Sequence, residues 1–176
     1  PLAQLLPVRV IGHCGGSVTD LIDAMRWAGG LSLPGVPENP TPATIINISL
    51  VVERSCSAAM QAAVDELSAR GVVIVTAVGN ESLDASRFAP ANCFGTLTVG
   101  ATTLAGDRAS YSNYGSAVDL SAPGGAATRS GGILSTYDEG RTAPAGSAYG
   151  TASGTSMAAP HASGILAAIL AAEPDL

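Results

Sequence analysis

The sequence predicts an α/β fold with three layers, a doubly wound, mostly parallel sheet that carries helices on both faces. Strand-like and helix-like segments alternate along the 176 residues, which is typical of this class. One strand-like run, residues 72–78, is nearly continuously apolar, as strands buried on both faces are. Hydrophobic residues make up 47% of the chain, which excludes a disordered protein and is enough to fill a core.

The chain opens with a predicted strand and helix. Residues 8–11 form a short β-branched run that ends at the turn residues 12–16. We expect a helix next, with Thr19 as its N-cap and Gly29-Gly30 at its end, because glycine readily adopts the left-handed closing conformation. Residues 31–42 contain four prolines and are expected to form an exposed loop.

A second strand and helix follow this loop. Residues 45–50 are predicted to form the strand, Ser57 caps the helix, and Gly71 lies just past the helix end. Further strands are predicted at residues 72–78 and 96–101.

The last part of the chain is predicted to hold a strand at residues 117–122, a hairpin that includes residues 133–136, and a helix that begins near Thr155. The apolar run at residues 157–172 is shorter than the ~20 residues that a membrane span needs, so we interpret it as a buried central helix.

The charge balance excludes two classes of partner. Eight Lys and Arg against 14 Asp and Glu give a net charge of −6. An acidic chain with few cations offers no favourable surface to nucleic acid or to an anionic membrane. We therefore expect neither partner.

Ligands of parallel sheets bind beyond the carboxyl ends of the strands. Here those ends are predicted near Ser49, Val78 and Ala101. Asn80 follows a buried strand at this edge, where its amide is a neutral donor suited to an oxyanion. The alternative is an Asn that supports a turn through its own backbone.

The segment at residues 154–161, Gly-Thr-Ser-Met-Ala-Ala-Pro-His, places Ser156 at a helix start among small side chains. Free backbone N–H groups and the positive end of the helix dipole gather there, so the serine is suited to attack a carbonyl. An ordinary N-cap serine on an Ala-rich helix remains the alternative.

Together these segments resemble the subtilisin-like serine peptidases. The motif at residues 154–161 is similar to the family's nucleophile motif, and Ala-Val-Gly-Asn-Glu at residues 77–81 to its oxyanion segment. Further similar segments lie at residues 8–16, 46–50, 108–115 and 121–125. The resemblance covers nearly the whole chain in the family's order, and it is closest to the secreted, disulfide-bearing bacterial branch.

The resemblance implies a subtilisin-like fold and assigns roles to individual residues. Ser156 is the implied nucleophile, and Asn80 with the backbone N–H of Ser156 forms the oxyanion hole. Extended polypeptide substrates are expected to pair as an added strand. The implied substrate-binding residues are Cys14, Gly15, Gly16, Ser49, Leu50, Ala77, Val78, Gly79 and Thr155.

The sequence also departs from the family pattern. A serine peptidase needs a base and a carboxylate that orients it, and the family's Asp and His segments lie upstream of residue 8. His161 is similar to a structural family residue, and we interpret His13 as an exposed turn residue. Val51-Val52 replaces the family's usual Gly-Gly, so we expect either a narrower cleft or a strand that is pushed outward.

Three cysteines are present, an odd number that suggests a missing partner in a secreted protein. We predict a Cys56–Cys93 bridge, because both residues fall in loops near one end of the sheet. Cys14 is expected to pair with an upstream cysteine. Three reduced thiols are the alternative.

Residues 1–176 are thus predicted to be one partial catalytic domain of a longer protein, truncated on its N-terminal side. The isolated chain is expected to be inactive, because it lacks the family's catalytic Asp and His segments. The complete protein is expected to be secreted and monomeric, with the upstream part of the same chain as a partner. No cofactor is expected for the chemistry. The resemblance suggests a structural calcium ion, for which we assign no ligands. A non-catalytic peptide-binding module with the same fold is the alternative function.

Two other enzyme classes fit poorly. An α/β hydrolase needs Gly-x-Ser-x-Gly at its nucleophile, and Ala158 stands at the last glycine. No strand is followed by a glycine-rich nucleotide-binding motif.

Overall fold

A computed structural model describes residues 3–128 and 131–173 of the protein. Within these ranges the chain forms three α-helices and eight strands. In chain order the elements are α1 (Val18–Ala28), β1 (Ile45–Ile48), β2 (Val52–Glu53), α2 (Ala58–Ser68), β3 (Val73–Ala77), β4 (Phe88–Ala89), β5 (Leu97–Thr102), β6 (Leu120–Pro123), β7 (Ile133–Asp138), β8 (Ser147–Ala152) and α3 (Thr155–Ala172).

The central sheet has four parallel strands in the order β1-β3-β5-β6. Helix α2 connects β1 to β3, which makes the strand–helix–strand crossover that a parallel pair requires. The predicted parallel sheet is therefore confirmed.

Two hydrophobic clusters lie on opposite faces of this sheet. Ile46 and Ile74 belong to the cluster that contains the buried faces of α1 and α2. Val75 and Ala77 belong to the second cluster, which contains the buried alanines of α3. Helices thus cover both faces, and the predicted three-layer arrangement is confirmed.

Helix α1 begins one residue after Ser17, so the prediction of Thr19 as its N-cap is wrong. The Ser17 hydroxyl accepts from the backbone N–H of Asp20 at 3.0 Å, and the Asp20 carboxylate accepts from the Ser17 N–H at 3.1 Å. Serine followed three residues later by an acid forms this reciprocal capping box. The Ser17 hydroxyl also donates to the Asp20 carboxylate at 2.8 Å, and this bond, together with the one from the Ser17 N–H, holds the pKa of Asp20 below its ordinary value.

The predicted strand at residues 8–11 is wrong. No strand of the described residues lies alongside this segment, so its backbone has no ladder partner there, and the segment is largely exposed. It leads into a tight turn in which Gly12 and Gly15 form an isolated bridge.

Four smaller features, three in strands and one at a helix cap, complete the comparison between prediction and structure. The strand predicted at residues 117–122 starts later, at Leu120, and the hairpin predicted around residues 133–136 is confirmed as the pair β7–β8. The antiparallel ribbon β2–β4 was not predicted, because strands of two residues carry no hydrophobic period. The predicted cap of α2 at Ser57 is confirmed.

Helix α3 is buried only on one face, and the expectation of a fully buried helix is wrong. Four residues at its start are buried, namely Thr155, Ala158, Ala159 and Ala162. Ile165 and Ile169 further along are 61% and 43% exposed. By length and composition alone this helix would suit a membrane span, but its first half packs against all four strands of the central sheet.

Candidate active site

The candidate site lies at the carboxyl ends of β1 and β3, where the first turn of α3 meets them. Ser49 follows β1, Asn80 follows β3, and Ser156 is the second residue of α3. A concavity of about 560 Å³ also exists at the amino ends of β3 and β5. Because ligands of parallel sheets bind at carboxyl ends, we assign the site to the former edge.

Ser156 and Ser49 hold each other in a reciprocal pair. The Ser156 Oγ donates to the Ser49 carbonyl oxygen at 3.0 Å, and the Ser49 Oγ donates to the Ser156 carbonyl oxygen at 3.0 Å. Both residues are half-buried. This pair fixes the start of α3 against the end of β1 and leaves the Ser156 hydroxyl at the edge of the site.

The Asn80 side chain is oriented by Thr155. Its Oδ1 accepts from the Thr155 backbone N–H at 2.8 Å and from the Thr155 Oγ1 at 3.0 Å. The same Thr155 Oγ1 accepts from the Gly79 N–H at 3.2 Å. Since Oδ1 is occupied by two donors, the amide Nδ2 is left as the outward donor, and no described residue accepts a hydrogen bond from it.

The space beside Gly154 brings two donors together. A Cβ atom built on Gly154 would lie 3.6 Å from both Asn80 Nδ2 and Asn80 Oδ1, and 3.7 Å from the Ser156 backbone nitrogen. Both donors therefore flank one place that a side chain at residue 154 would occupy. Glycine leaves this place open beside the Ser156 backbone N–H.

A groove of about 190 Å³ lies beside the segment that follows Ser49 along the chain. One wall comes from residues 10–18 and the other from residues 50–52, with Ala89 and Pro90 completing it. Three of the predicted substrate-binding residues, Gly15, Gly16 and Leu50, line this groove together. Such a groove has room for a side chain of an extended peptide.

The other predicted substrate-binding residues differ in exposure. Cys14 is exposed in the turn before the groove, whereas Ala77, Val78, Gly79 and Thr155 are buried. Ala77 packs against the α3 face, and Thr155 holds Asn80. The side chains of Ala77, Val78 and Thr155 are therefore not open to solvent.

Neither histidine contacts the Ser156 hydroxyl. The His161 Nδ1 lies 2.7 Å from the Met157 carbonyl oxygen one turn earlier in α3, which ties the ring to its own helix. His13 is exposed in the turn between Gly12 and Gly15. The chain thus places no base on Ser156 within the described residues.

Tyr111 supports the turn before α3. Its hydroxyl donates to the carbonyl oxygens of Gly124 and Gly125 at 2.8 and 2.6 Å. The Gly124 carbonyl also accepts from the Gly154 N–H at 3.0 Å. Burial raises the pKa of Tyr111, so the hydroxyl stays protonated and remains a donor.

Sequence reasoning missed one residue of the site, Asn113. It is 1% exposed and its side chain bonds to the loop that carries Asn80. It lies 33 positions after Asn80 in a turn-rich segment, so no local pattern connects the two. Its place in the resemblance at residues 108–115 was the only available signal.

The Cys56–Cys93 disulfide predicted from sequence is confirmed, with a Cα–Cα distance of 5.2 Å. Cys14 is a free, exposed thiol within the described chain. No group of three or more His, Cys, Asp or Glu side chains in residues 3–128 and 131–173 is placed to hold a metal ion.

Comparison with known proteins decides the family. The model of the Subtilase family matches residues 1–176. The chain belongs to the subtilase family. This subtilase chain is 45% identical over 172 residues to the "Extracellular protease" of Xanthomonas campestris and 47% identical over 170 residues to the "Extracellular basic protease" of Dichelobacter nodosus.

The alignments cover 98% and 97% of the subtilase chain but only 29% and 27% of those two relatives. Among solved structures, a protease from Pseudoalteromonas arctica matches with a TM-score of 0.96 at 45% identity, over 99% of this chain and 52% of the other. A cold-adapted subtilisin-like serine proteinase matches with a TM-score of 0.71 at 34% identity, over 94% of this chain and 52% of the other. The subtilisin-like fold predicted from sequence is thereby confirmed.

Proposed function

We propose that the protein containing this chain is a secreted serine endopeptidase with Ser156 as its nucleophile. The observation that carries this proposal is the contact between Thr155 and Asn80. It occupies the amide oxygen of Asn80 and leaves Nδ2 beside the same open place as the Ser156 backbone N–H. Two preorganised donors next to a serine hydroxyl are what acyl transfer needs.

The chemistry follows from these groups. The Ser156 Oγ attacks the carbonyl carbon of the scissile peptide bond, and its proton passes to a base. The negative charge that develops on the carbonyl oxygen accepts hydrogen bonds from Asn80 Nδ2 and the Ser156 N–H. The base then protonates the amine as it leaves, and water hydrolyses the acyl-enzyme by the same route in reverse.

We infer that the base and its carboxylate come from a segment upstream of these residues. In the described chain the Ser156 hydroxyl donates to the Ser49 carbonyl, and neither histidine reaches it. The isolated chain is accordingly expected to be inactive. The proposed reaction uses no cofactor, and a structural calcium ion remains a proposal without assigned ligands.

The proposed substrates are extended polypeptides. The groove between residues 10–18 and 50–52 supports this, because an extended chain can pair with one wall while its alternate side chains enter the groove. We propose that Gly79 and Val51 bound the pocket for the residue before the scissile bond. Val51 Cγ2 would lie 3.1 Å from a Cβ atom on Gly79, so the two walls approach closely.

Secretion is proposed because two relatives are extracellular proteases by name and because a disulfide persists in oxidising compartments. We also propose that the complete protein is monomeric and that the upstream part of its own chain is the partner of this region. The net charge of −6 supports neither nucleic acid nor an anionic membrane as a partner.

The test is Ser156→Ala in the complete gene product. Hydrolysis of a protein substrate should fall by at least about a thousandfold, because the nucleophile is lost. A fluorophosphonate probe should label the wild-type protein on the peptide that contains Ser156 and should not label the variant.

Ser163→Ala is the matched control. Ser163 lies about two turns further along α3 and bonds to Asn47 and the Ala159 carbonyl. Its variant should keep turnover within about twofold, since it loses only a neutral hydrogen bond. Undiminished hydrolysis by Ser156→Ala would reject the proposal.

A non-catalytic peptide-binding module is the second candidate. It is favoured by the hydrogen bond of the Ser156 hydroxyl to a main-chain carbonyl instead of a base. The coding sequence upstream of Pro1 separates the two. A continuous frame with an Asp-bearing strand and a His-Gly-Thr-type helix start supports the peptidase, whereas its absence supports the binding module.

A further inference from the structure

Asn113 forms an extensive set of hydrogen bonds with the Asn80 loop, which we define as residues 78–83. The Asn113 side chain is 1% exposed. Its partners lie on both sides of Asn80 along the chain. The Asn113 N–H donates to Gly79 O at 3.1 Å, its Nδ2 donates to Val78 O and Glu81 Oε2 at 2.8 Å each, and its Oδ1 accepts from the N–H groups of Glu81 and Leu83 at 3.1 and 2.9 Å.

These contacts use the whole hydrogen-bonding capacity of the side chain. An asparagine amide has two N–H donors and an oxygen with two lone pairs. Both donors and both acceptor positions of Asn113 are directed at the Asn80 loop. No described residue outside residues 78–83 hydrogen-bonds to this side chain, so its contacts converge on one loop.

The loop needs this support because its conformation is unusual. Gly79 has φ = +100°, a left-handed value that glycine adopts readily, but Ser82 has φ = +54°, a value that costs free energy in a residue with a side chain. Thr155 holds the Asn80 side chain from one side through Oδ1. Asn113 holds the backbone before and after Asn80 from the other side.

We propose that Asn113 is a positioning residue for the oxyanion hole. It touches no substrate and acts through Asn80, by fixing the backbone from which the Nδ2 donor projects. The inference rests on the proposed peptidase function. A donor displaced by about 1 Å from the developing oxyanion loses much of its effect, up to about a hundredfold in rate.

The test is a double-mutant cycle in the complete gene product. Asn113→Ala removes all side-chain contacts. Asn113→Asp keeps an oxygen for the N–H groups of Glu81 and Leu83, but it removes the donors to Val78 O and Glu81 Oε2 and places a carboxylate beside that of Glu81. Each variant is measured in the wild type and in Asn80→Gly. Asn80→Gly alone should lower kcat by about 10²–10³-fold, the cost of one oxyanion donor.

In the wild-type background each Asn113 variant should lower kcat by about tenfold or more, with KM within about twofold. In the Asn80→Gly background the same substitution should lower kcat by less than about twofold, because the group through which Asn113 acts is already gone. A purely structural residue would not produce this loss of effect. Thermal melts record that each variant is folded at the assay temperature.

Asn39→Ala is the matched control. Asn39 is also buried, with its Nδ2 donating to the carbonyls of Trp27 and Ala28 and its Oδ1 accepting from the Thr41 N–H. Its side chain bonds only to Trp27, Ala28 and Thr41, none of which belongs to the site. Its variant should lower the melting temperature and leave kcat within about twofold.

Three results would overturn the inference, and they point to different failures. Equal losses in both backgrounds, or folded Asn113 variants with unchanged kcat, reject the role of Asn113 and leave the peptidase intact. An Asn80→Gly variant with full kcat rejects the proposed oxyanion hole and the inference with it. Should Asn113→Ala not fold, the near-isosteric Asn113→Asp decides by the same criteria.

Discussion

At the scale of single residues, Gly79 shows how two constraints select one amino acid. Its φ of +100° disfavours any side chain. In addition, a Cβ atom there would overlap Asn113 Nδ2 and lie 2.6 Å from Glu81 Oε2. Conformation and space therefore both require glycine next to Asn80.

Gly79→Ala should destabilise the protein by more than the strain of a left-handed residue alone, which is about 1–2 kcal/mol. It should also lower kcat, because relief of the overlap displaces the loop that carries Asn80. Urea unfolding and steady-state kinetics measure the two effects.

Gly106→Ala separates strain from overlap. Gly106 has φ = +88°, but nothing lies within 4 Å of a Cβ atom there. This variant should lose only the strain term and keep its kcat. If the two alanine variants behave alike, the space around Gly79 is not limiting.

Part of this detail could be predicted from sequence and part could not. Ser156 and Asn80 stand in short motifs, so the local sequence was enough to predict the roles that we propose for them. The contacts of Thr155 with Asn80 span 75 positions and those of Asn113 with Leu83 span 30. Only the folded sheet brings such groups together, so no periodicity reports them.

At the scale of elements, the segment after β1 shapes the cleft. Val51 lies close to Gly79, and Leu50, Val51 and Val52 all line the groove. We therefore expect the two branched side chains, Val51 and Val52, to narrow the space between the two walls.

Val51→Gly should widen the pocket for the residue before the scissile bond. The ratio of kcat/KM for a Phe over an Ala peptide nitroanilide should rise about tenfold, the scale at which apolar pockets discriminate size. Val36→Gly, a change in the exposed loop after α1, should leave the ratio within about twofold. A ratio that is unchanged in Val51→Gly would place the pocket elsewhere.

The elements themselves were predictable to different degrees. Strands β1, β3 and β5 are recognisable as short apolar runs, and helix α2 by its helical apolar spacing and its Ser57 cap. The capping of α1 depended on Asp20, three positions after Ser17, and the ribbon β2–β4 depends on tertiary pairing. The β-branched run at residues 8–11 has the composition of a strand, but no strand of the described chain pairs with it. A segment forms a strand only when a neighbouring strand supplies hydrogen bonds and packing.

At the scale of the whole molecule, the disulfide joins the loop before α2 to the loop before β5. Cys56 and Cys93 are 37 positions apart. Closing a loop of this length removes entropy from the unfolded chain, which the chain-entropy model puts at about 4 kcal/mol.

Replacing both Cys56 and Cys93 with alanine should therefore lower the free energy of unfolding by about 2–5 kcal/mol. Urea melts of the complete gene product measure the loss. Ser55→Ala, an exposed neighbour, should stay within about 0.5 kcal/mol of wild type. A double variant as stable as wild type would mean that the reduced state already restricts this loop.

The packing of α3 also sets an order of events during biosynthesis. This helix comes last among the described elements, yet its buried residues fill the face shared by all four central strands. A ribosome must therefore release nearly the entire segment before that layer can close, and contacts between such distant residues form slowly. Since Ser156 lies on the same helix, the serine proposed as nucleophile reaches the ends of β1 and β3 only after all four central strands have been synthesised.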